Sequence, residues 1–302
     1  MAEPPAASDA ITQSPRRDEP LRGITLMVTA MMLIPVMDGI AKHLTESFPT
    51  LQVVWARYFF HLVLLLPFVL WRYGRQALAP PRLPLQILRG GLLLGATGLF
   101  FAAIARIPLA DAIALVFVYP LVVTALSALV LRESVGPRRW AAVLAGFIGA
   151  LIVIRPGFGL FDIGALLAVG AGSFYALYIL LTRELAGSAP PLVTLAFTAL
   201  LGGLVSSAGV PFVWVTPDWP ALGLMALIGI IAAGGHFLII RSFEFAPASL
   251  LAPYGYSEIV MATLVGYIAF GDFPDHWTWT GIAVIVGSGL YISFRERRLR
   301  GG

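Results

Sequence analysis

The chain contains no cysteine, which removes disulfides, thiolate nucleophiles and thiolate-bound metals from consideration. It is also poor in charge. Only 12% of its 302 residues are Asp, Glu, Lys or Arg while 59% are hydrophobic, where a soluble domain carries about 25% charged residues. Its four histidines fall into no HxxxH or HExxH spacing, and no GxxxxGK[ST] loop is present, so the usual ligand sets for helical zinc hydrolases and for ATP hydrolysis are missing. The basic residues behind a pI of about 9.6 are scattered through short loops and form no patch, which argues against nucleic acid as a partner. What remains is apolar surface that one soluble core cannot hide, and the chain reads as an all-α polytopic membrane protein.

Residues 1–20 are rich in Ala, Pro, Ser and charge, without apolar periodicity, and read as a disordered cytoplasmic tail. No small-residue cleavage pattern marks them as a signal peptide. Ten spanning segments follow, at about 23–44, 51–73, 83–105, 108–131, 138–155, 160–182, 191–214, 219–244, 248–271 and 277–294. Pro and Gly punctuate the breaks: Pro49, Pro80-Pro81, Pro108, Gly136-Pro137, Pro156-Gly157, Pro190-Pro191, Pro217, Pro247 and Pro274. With the N-terminus inside, 15 Lys and Arg residues fall on the inner side and 3 on the outer, namely Lys42, Arg106 and Arg155. That bias favours two cytoplasmic termini and an even number of spans in a bacterial-type inner membrane.

Shifting the sequence by 139 residues brings Pro108 onto Pro247, Thr124 onto Thr263 and Glu133 onto Asp272, and it matches helix ends. The spacing predicts two five-helix repeats over 21–156 and 157–297, with 298–302 a cytoplasmic end. Five is odd, so the second repeat enters the membrane upside down relative to the first. Inverted repeats of this kind place a binding site near mid-membrane between the halves. Small residues, Gly91-xxx-Gly95 among them, mark where helices can pack closely.

A few ionisable and polar side chains interrupt the apolar runs, and each is costly unless it faces a cavity or a partner. Asp38 lies about six residues before the outer end of the first span and Arg57 about six residues after the outer start of the second. Counted at 1.5 Å per residue, the two are level, and an Asp38–Arg57 ion pair is expected, either holding helices together or lining a path. Lys42 can compete for Asp38 or snorkel outward. His61 and Trp55 flank Arg57 on the same helix as candidate pocket residues, and Arg89 is an anchor or an inner gate. Glu258 falls near mid-membrane at the end of Ala252-Pro253-Tyr254-Gly255-Tyr256-Ser257-Glu258. Pro and Gly there loosen the helix, and a carboxyl at that depth is a candidate proton carrier. Under the 139-residue shift its counterpart is Tyr119, before Pro120. Tyr175, Tyr178 and Phe100 are further candidates for stacking on a planar ligand. The histidines, counted from helix ends, lie at different levels, which counts against a membrane-embedded enzyme.

Ala110-Asp111-Ala112 through Tyr119-Pro120, then Leu131-Arg132-Glu133, recur as Ala248-Ser249 through Glu258, then Phe270-Gly271-Asp272. With ten spans in two halves, these resemble the drug/metabolite transporter superfamily, in its branch with tandem EamA-type domains, over about residues 22–297. Members usually carry Glu at both of the last positions, and Asp272 departs from that. Met37-Asp38-Gly39-Ile40-Ala41-Lys42, Ile87-Leu88-Arg89-Gly90, Ala252 to Glu258 and Phe273-Pro274-Asp275 are similar to the S-adenosylmethionine uptake branch. That branch tends to have Arg where this chain has Gly255.

The resemblance implies a secondary transporter rather than an enzyme, with no cofactor and no metal. It implies alternating access for a small polar or zwitterionic metabolite, S-adenosylmethionine-like or amino-acid-like, coupled to protons or working by exchange. A riboflavin or other vitamin permease is the alternative within the superfamily, and a passive channel or membrane-embedded enzyme the alternative outside it. In the transporter reading Arg57 meets a carboxylate, with Asp38 orienting it. Glu258 meets an amine or a proton, while Tyr254, Tyr256 and Tyr119 supply hydrogen bonds and stacking.

Overall fold

The computed structural model describes residues 19–129, 136–154, 163–185, 188–246 and 248–300. The expected tail, the Leu131-Arg132-Glu133 motif and Pro247 lie largely or wholly outside them. Among the described residues the fold is all-helical. Its α-helices are α1 (Pro20–Thr45), α2 (Thr50–Tyr73), α3 (Leu83–Ile104), α4 (Leu109–Val116), α5 (Tyr119–Leu129) and α6 (Pro137–Ile154). They continue as α7 (Ile163–Glu184), α8 (Pro191–Gly209), α9 (Trp219–Phe245), α10 (Ala248–Gly255), α11 (Ser257–Phe270) and α12 (His276–Arg300). Seven helical stretches among them are long and apolar enough to cross a membrane, and Trp140–Ile154 and Ser257–Phe270 are shorter apolar helices.

Two stretches read from sequence as single spans are broken in the structure. A turn at Phe117-Val118 separates α4 from α5, and a turn at Tyr256 separates α10 from α11. The first break follows from Pro120, which has no N–H to give the carbonyl of Val116. Gly172 of α7 lies close to that carbonyl, where a Cβ would come within 2.8 Å of the oxygen. The helix break and the approach of α7 thus depend on the same local geometry. The second break comes three residues after Pro253.

Helix contacts fix two faces of the bundle. At the face where α1 begins, Arg22 lies over the Phe245 ring at the end of α9, and Arg82 before α3 donates to Glu184 at the end of α7 at 2.9 Å. Arg241 and Glu244 pair locally there, as their spacing suggests. At the opposite face, Lys42 near the end of α1 donates to the carbonyl of Ile107 at 2.8 Å and lies 3.5 Å from Asp272 after α11. There too Gln52 exchanges two hydrogen bonds with the backbone of Val215, at 2.7 and 2.9 Å. Around this network packs a buried core that includes Ala41, Leu44, Val53, Ile104 and Leu109.

The main packing partners are α1 with α9, α3 with α7, α6 with α12 and α2 with α8. Gly91 of the small-residue pattern meets no neighbour and Gly95 rests on the Phe174 ring, so that motif does not bring two backbones together. Two glycines do bring backbones close to each other between α6 and α12. A Cβ on Gly281 would lie 2.7 Å from the carbonyl oxygen of Gly149, and one on Gly149 3.0 Å from that of Gly281. Gly281→Val forces the pair apart and is expected to lower stability by about 1–3 kcal/mol, in the range of overpacking. Gly287→Val, at a position with open space around it, serves as the control. A thermal melt of the purified protein in detergent checks the contrast, and equal melting points would contradict the packing described.

Candidate functional site

A cavity of about 350 Å³ lies in the middle of the bundle, walled by residues from α1, α2, α3, α4, α5, α7, α9, α10 and α11. Its polar lining is Asp38, Arg57, Thr97, Tyr119, Tyr175, His236 and Glu258. Its apolar lining includes Met27, Met31, Met37, Phe100 and Phe117. Toward the face where α1 begins, the wall continues to Phe243, near the end of α9, and Leu251, near the start of α10. Toward the other face its lining includes Asp38, Phe101 and Ile113, beyond which the same helices carry the buried Ala41, Ile104 and Leu109.

Arg57 is the best-held charge on this wall. It is 6% exposed, its Nη1 donates to Thr97 Oγ1 at 3.2 Å, and its Nη2 lies 3.2 Å from His236 Nε2. Its guanidinium carbon sits 5.0 Å from the centre of the Tyr58 ring, whose hydroxyl is 3.0 Å from Thr97 Oγ1. The Arg57 Nε–H has no partner. Hydrogen bonds and a π face hold this cation, and no carboxylate is in contact with it among the described residues.

The Asp38–Arg57 ion pair expected from depth is therefore not formed. Both groups line the cavity and interact through space. However, α1 and α2 touch each other little, and both pack on α9. That helix stands between them and offers His236 to Arg57. A short loop makes two helices neighbours in sequence without making them a packed pair. Lys42 neither competes for Asp38 nor snorkels free, because Asp272 and the Ile107 carbonyl hold it.

Glu258 and Tyr119 both reach the cavity, with Glu258 partly open to it. Glu258 is close enough to Asp38 for their charges to interact. Tyr119 meets the Tyr175 ring edge-on at 5.0 Å, and Tyr175 stacks on Tyr178 at 5.6 Å. Tyr256 is one layer removed, its ring 5.0 Å from that of Phe117.

Besides Lys42 and Tyr256, four more of the expected site residues lie off the cavity wall. Tyr254 is 36% exposed on the outside of the bundle. Trp55 donates to Ser207 Oγ at 2.9 Å and stacks on Phe59 near the Lys42 face. Arg89 is 4% exposed, so it does not snorkel. It cross-links α3 to α7 through Thr182 (2.8 Å) and Tyr178 (3.1 Å), and also binds Gln86 at 3.2 Å. His61 is buried behind the wall rather than on it.

The imidazoles of His61 and His236 lie near one another, with ring centres 6.5 Å apart, contrary to the depths counted from helix ends. Counting treats every helix as starting at one level. Here the packing of Gly229 against the backbone of His61 sets the relative height of α9 and α2, and the His236 side chain leans back toward the start of its helix. Sequence reasoning also passed over His236 and Thr97 as cavity residues. The methionine face was legible in principle: Met27, Met31, Ile34 and Asp38 recur at helical spacing.

Because the chain has no native cysteine, single cysteines report access to the cavity without background. Met31→Cys on the wall is expected to react with a small hydrophilic methanethiosulfonate, and Ala41→Cys, 0% exposed in the core beyond, is expected to resist it. Equal labelling of the two in the folded protein would contradict the cavity's closure on the Lys42 side.

Comparison with known proteins bears on what such a cavity is for. The chain is 27% identical over 278 residues to an S-adenosylmethionine uptake transporter of Rickettsia prowazekii, covering 92% of this chain and 94% of that one. It is 30% identical over 286 residues to a riboflavin transporter of Vibrio cholerae, covering 93% and 96%. A crystal structure of another protein shares the fold with a TM-score of 0.65 at 22% identity, covering 92% of this chain and 98% of that one. The EamA-like transporter family matches twice, at residues 21–155 and 162–294. With two matches covering most of its length, the chain is a multi-pass membrane protein that belongs to the EamA-like transporter family, a family of transporters and not of enzymes.

Proposed function

We propose that this protein is a secondary transporter of the bacterial inner membrane that moves a small polar or zwitterionic metabolite by alternating access. The observation that carries this reading is the charge pattern of the cavity. Arg57 sits on one wall, with Asp38 and Glu258 close enough to each other to interact, and most of the remaining surface is apolar. A buried guanidinium with one N–H unpaired is suited to a carboxylate, and the two acidic side chains are suited to an amine or another cationic centre. An S-adenosylmethionine-like or amino-acid-like ligand offers both. The uptake activity of the Rickettsia relative favours the first.

Two inverted five-helix repeats, over 21–156 and 157–297, are the architecture this reading calls for. Several observations support it. The bounds of α4 and α10 differ by 139 residues at both ends, as do the turn residues Phe117 and Tyr256, whose rings meet. With the repeats superposed in this way, the packing of α1 on α9 has its counterpart in α7 on α3. The bias of the basic residues supports a cytoplasmic location for the face where α1 begins. The cavity then opens inward, and Lys42, Asp272 and Ile107 form the closed outer gate.

A flat ligand such as riboflavin is the second reading. The ring ladder Tyr119–Tyr175–Tyr178 beside Phe117 and the Vibrio relative favour it.

Counterflow in proteoliposomes decides between them, with radiolabelled S-adenosylmethionine and riboflavin as probes. The first reading expects S-adenosylmethionine to exchange, and Arg57→Met or Glu258→Gln to reduce that exchange at least about tenfold, equivalent to 1.4 kcal/mol. Exchange of riboflavin alone selects the second reading. Full S-adenosylmethionine exchange in both folded variants would overturn the site assignment.

A further inference from the structure

Where α2 meets α9, one guanidinium and two imidazoles form a row, with Arg57 and His61 buried and His236 half-buried, whose first two members border the cavity. Arg57 Nη2 stands 3.2 Å from His236 Nε2. A guanidinium has only N–H donors, so Nε2 is the acceptor, and His236 is neutral with its proton on Nδ1. A proton on Nε2 would set two donors against each other at that distance. The present position of Arg57 and a proton on this nitrogen therefore exclude one another.

Behind His236 lies His61, 3% exposed, with ring planes inclined by 23° and neither nitrogen partnered. The charged groups around the row are Arg57 on α2 and Arg89 on α3, with Asp38 on α1 and Glu258 on α11 at the cavity. Thr97 holds the other arm of Arg57, so a rotation of the guanidinium about that contact can release His236 while keeping one hydrogen bond.

We propose that His236 is the residue that couples occupancy of the cavity to a proton. An anionic group of the substrate draws Arg57 Nη2 off Nε2, and the freed lone pair takes a proton from water in the cavity, turning the imidazole into an imidazolium. When the substrate leaves, Arg57 returns and the proton departs. One anionic group and one proton load together, so the positive charge that balances the bound anion shifts from Arg57 alone to Arg57 and His236. Glu258 remains free to meet a cationic part of the ligand. This proposal rests on the transporter reading above and adds a requirement to it: a ligand without an anionic group does not drive the coupling.

Nitrogen chemical shifts of 15N-histidine-labelled protein in lipid nanodiscs test the linkage without any substrate. Only four histidines are present, and His236→Gln assigns the signal by difference. In the wild type, His236 is expected to stay neutral and Nδ1-protonated between about pH 5 and 8, the range in which a free imidazole titrates. Arg57→Met is expected to bring its protonation into that range. A wild-type His236 that carries its proton on Nε2, or is doubly protonated near neutrality, overturns the proposal. So does a folded Arg57→Met protein with an unchanged His236.

His236→Gln supplies a second arm, because the amide oxygen can still accept from Arg57 but cannot hold a proton. In proteoliposomes with S-adenosylmethionine as the probe, this variant is expected to lose accumulation driven by an imposed pH gradient by at least about tenfold more than it loses counterflow. Accumulation equal to the wild type overturns the coupling role. If S-adenosylmethionine is not moved at all, the substrate reading fails, and the nitrogen shifts still decide the Arg57–His236 linkage.

Discussion

A charge inside a bilayer has to be met by a partner or by water, and in this protein the arrangement of helices around Arg57 follows from that constraint. Thr97 from α3, His236 from α9 and the ring of Tyr58 meet the guanidinium. Each comes from a different part of the packing, so α2, α3 and α9 converge at one level. The cavity lies where they converge, and the uncommitted Nε–H of Arg57 leaves bonding capacity for a ligand. A neutral residue at position 57 would ask nothing of Thr97 or His236.

The two faces of the bundle differ in how they are closed. On the Lys42 side, charge, backbone carbonyls and a fully packed core share the work, and Lys42 alone ties α1 to the segment before α4 and to Asp272 after α11. On the side where α1 begins, the contacts lie at helix ends and include an exposed ion pair, Arg82–Glu184, of a kind that contributes about 0–1 kcal/mol. An imbalance of this kind is what one end state of an alternating-access cycle needs. The closed face is held by a few polar contacts that can exchange, while the helices themselves stay intact.

Charge in an apolar run is a strong signal in sequence, and it points to Arg57, Asp38 and Arg89 as buried groups and to Glu258 at the cavity. Tyr119 followed from the repeat. What sequence did not carry is lateral packing and relative height. Asp38 and Arg57 look like partners because a short loop joins their helices, yet α9 intervenes. His61 and His236 look far apart because helix starts are not level. Thr97 and His236 went unnoticed because a threonine or a neutral imidazole in a membrane helix raises no alarm, since each can bond locally or be hidden cheaply. Tyr254 and Trp55 were drawn toward the site by proximity in sequence to Glu258 and Arg57, but their helices turn them outward.

In the proposed transport cycle the Lys42 face opens for a ligand to cross, and the cavity binds while that face is closed. Joining Lys42→Cys to Asp272→Cys with a short, reducible bifunctional thiol reagent tests this in a protein free of other cysteines. The cross-linked protein is expected still to bind the probe that the native protein exchanges, to carry out no counterflow, and to recover when the link is reduced. Counterflow at the native rate with the link intact would contradict it.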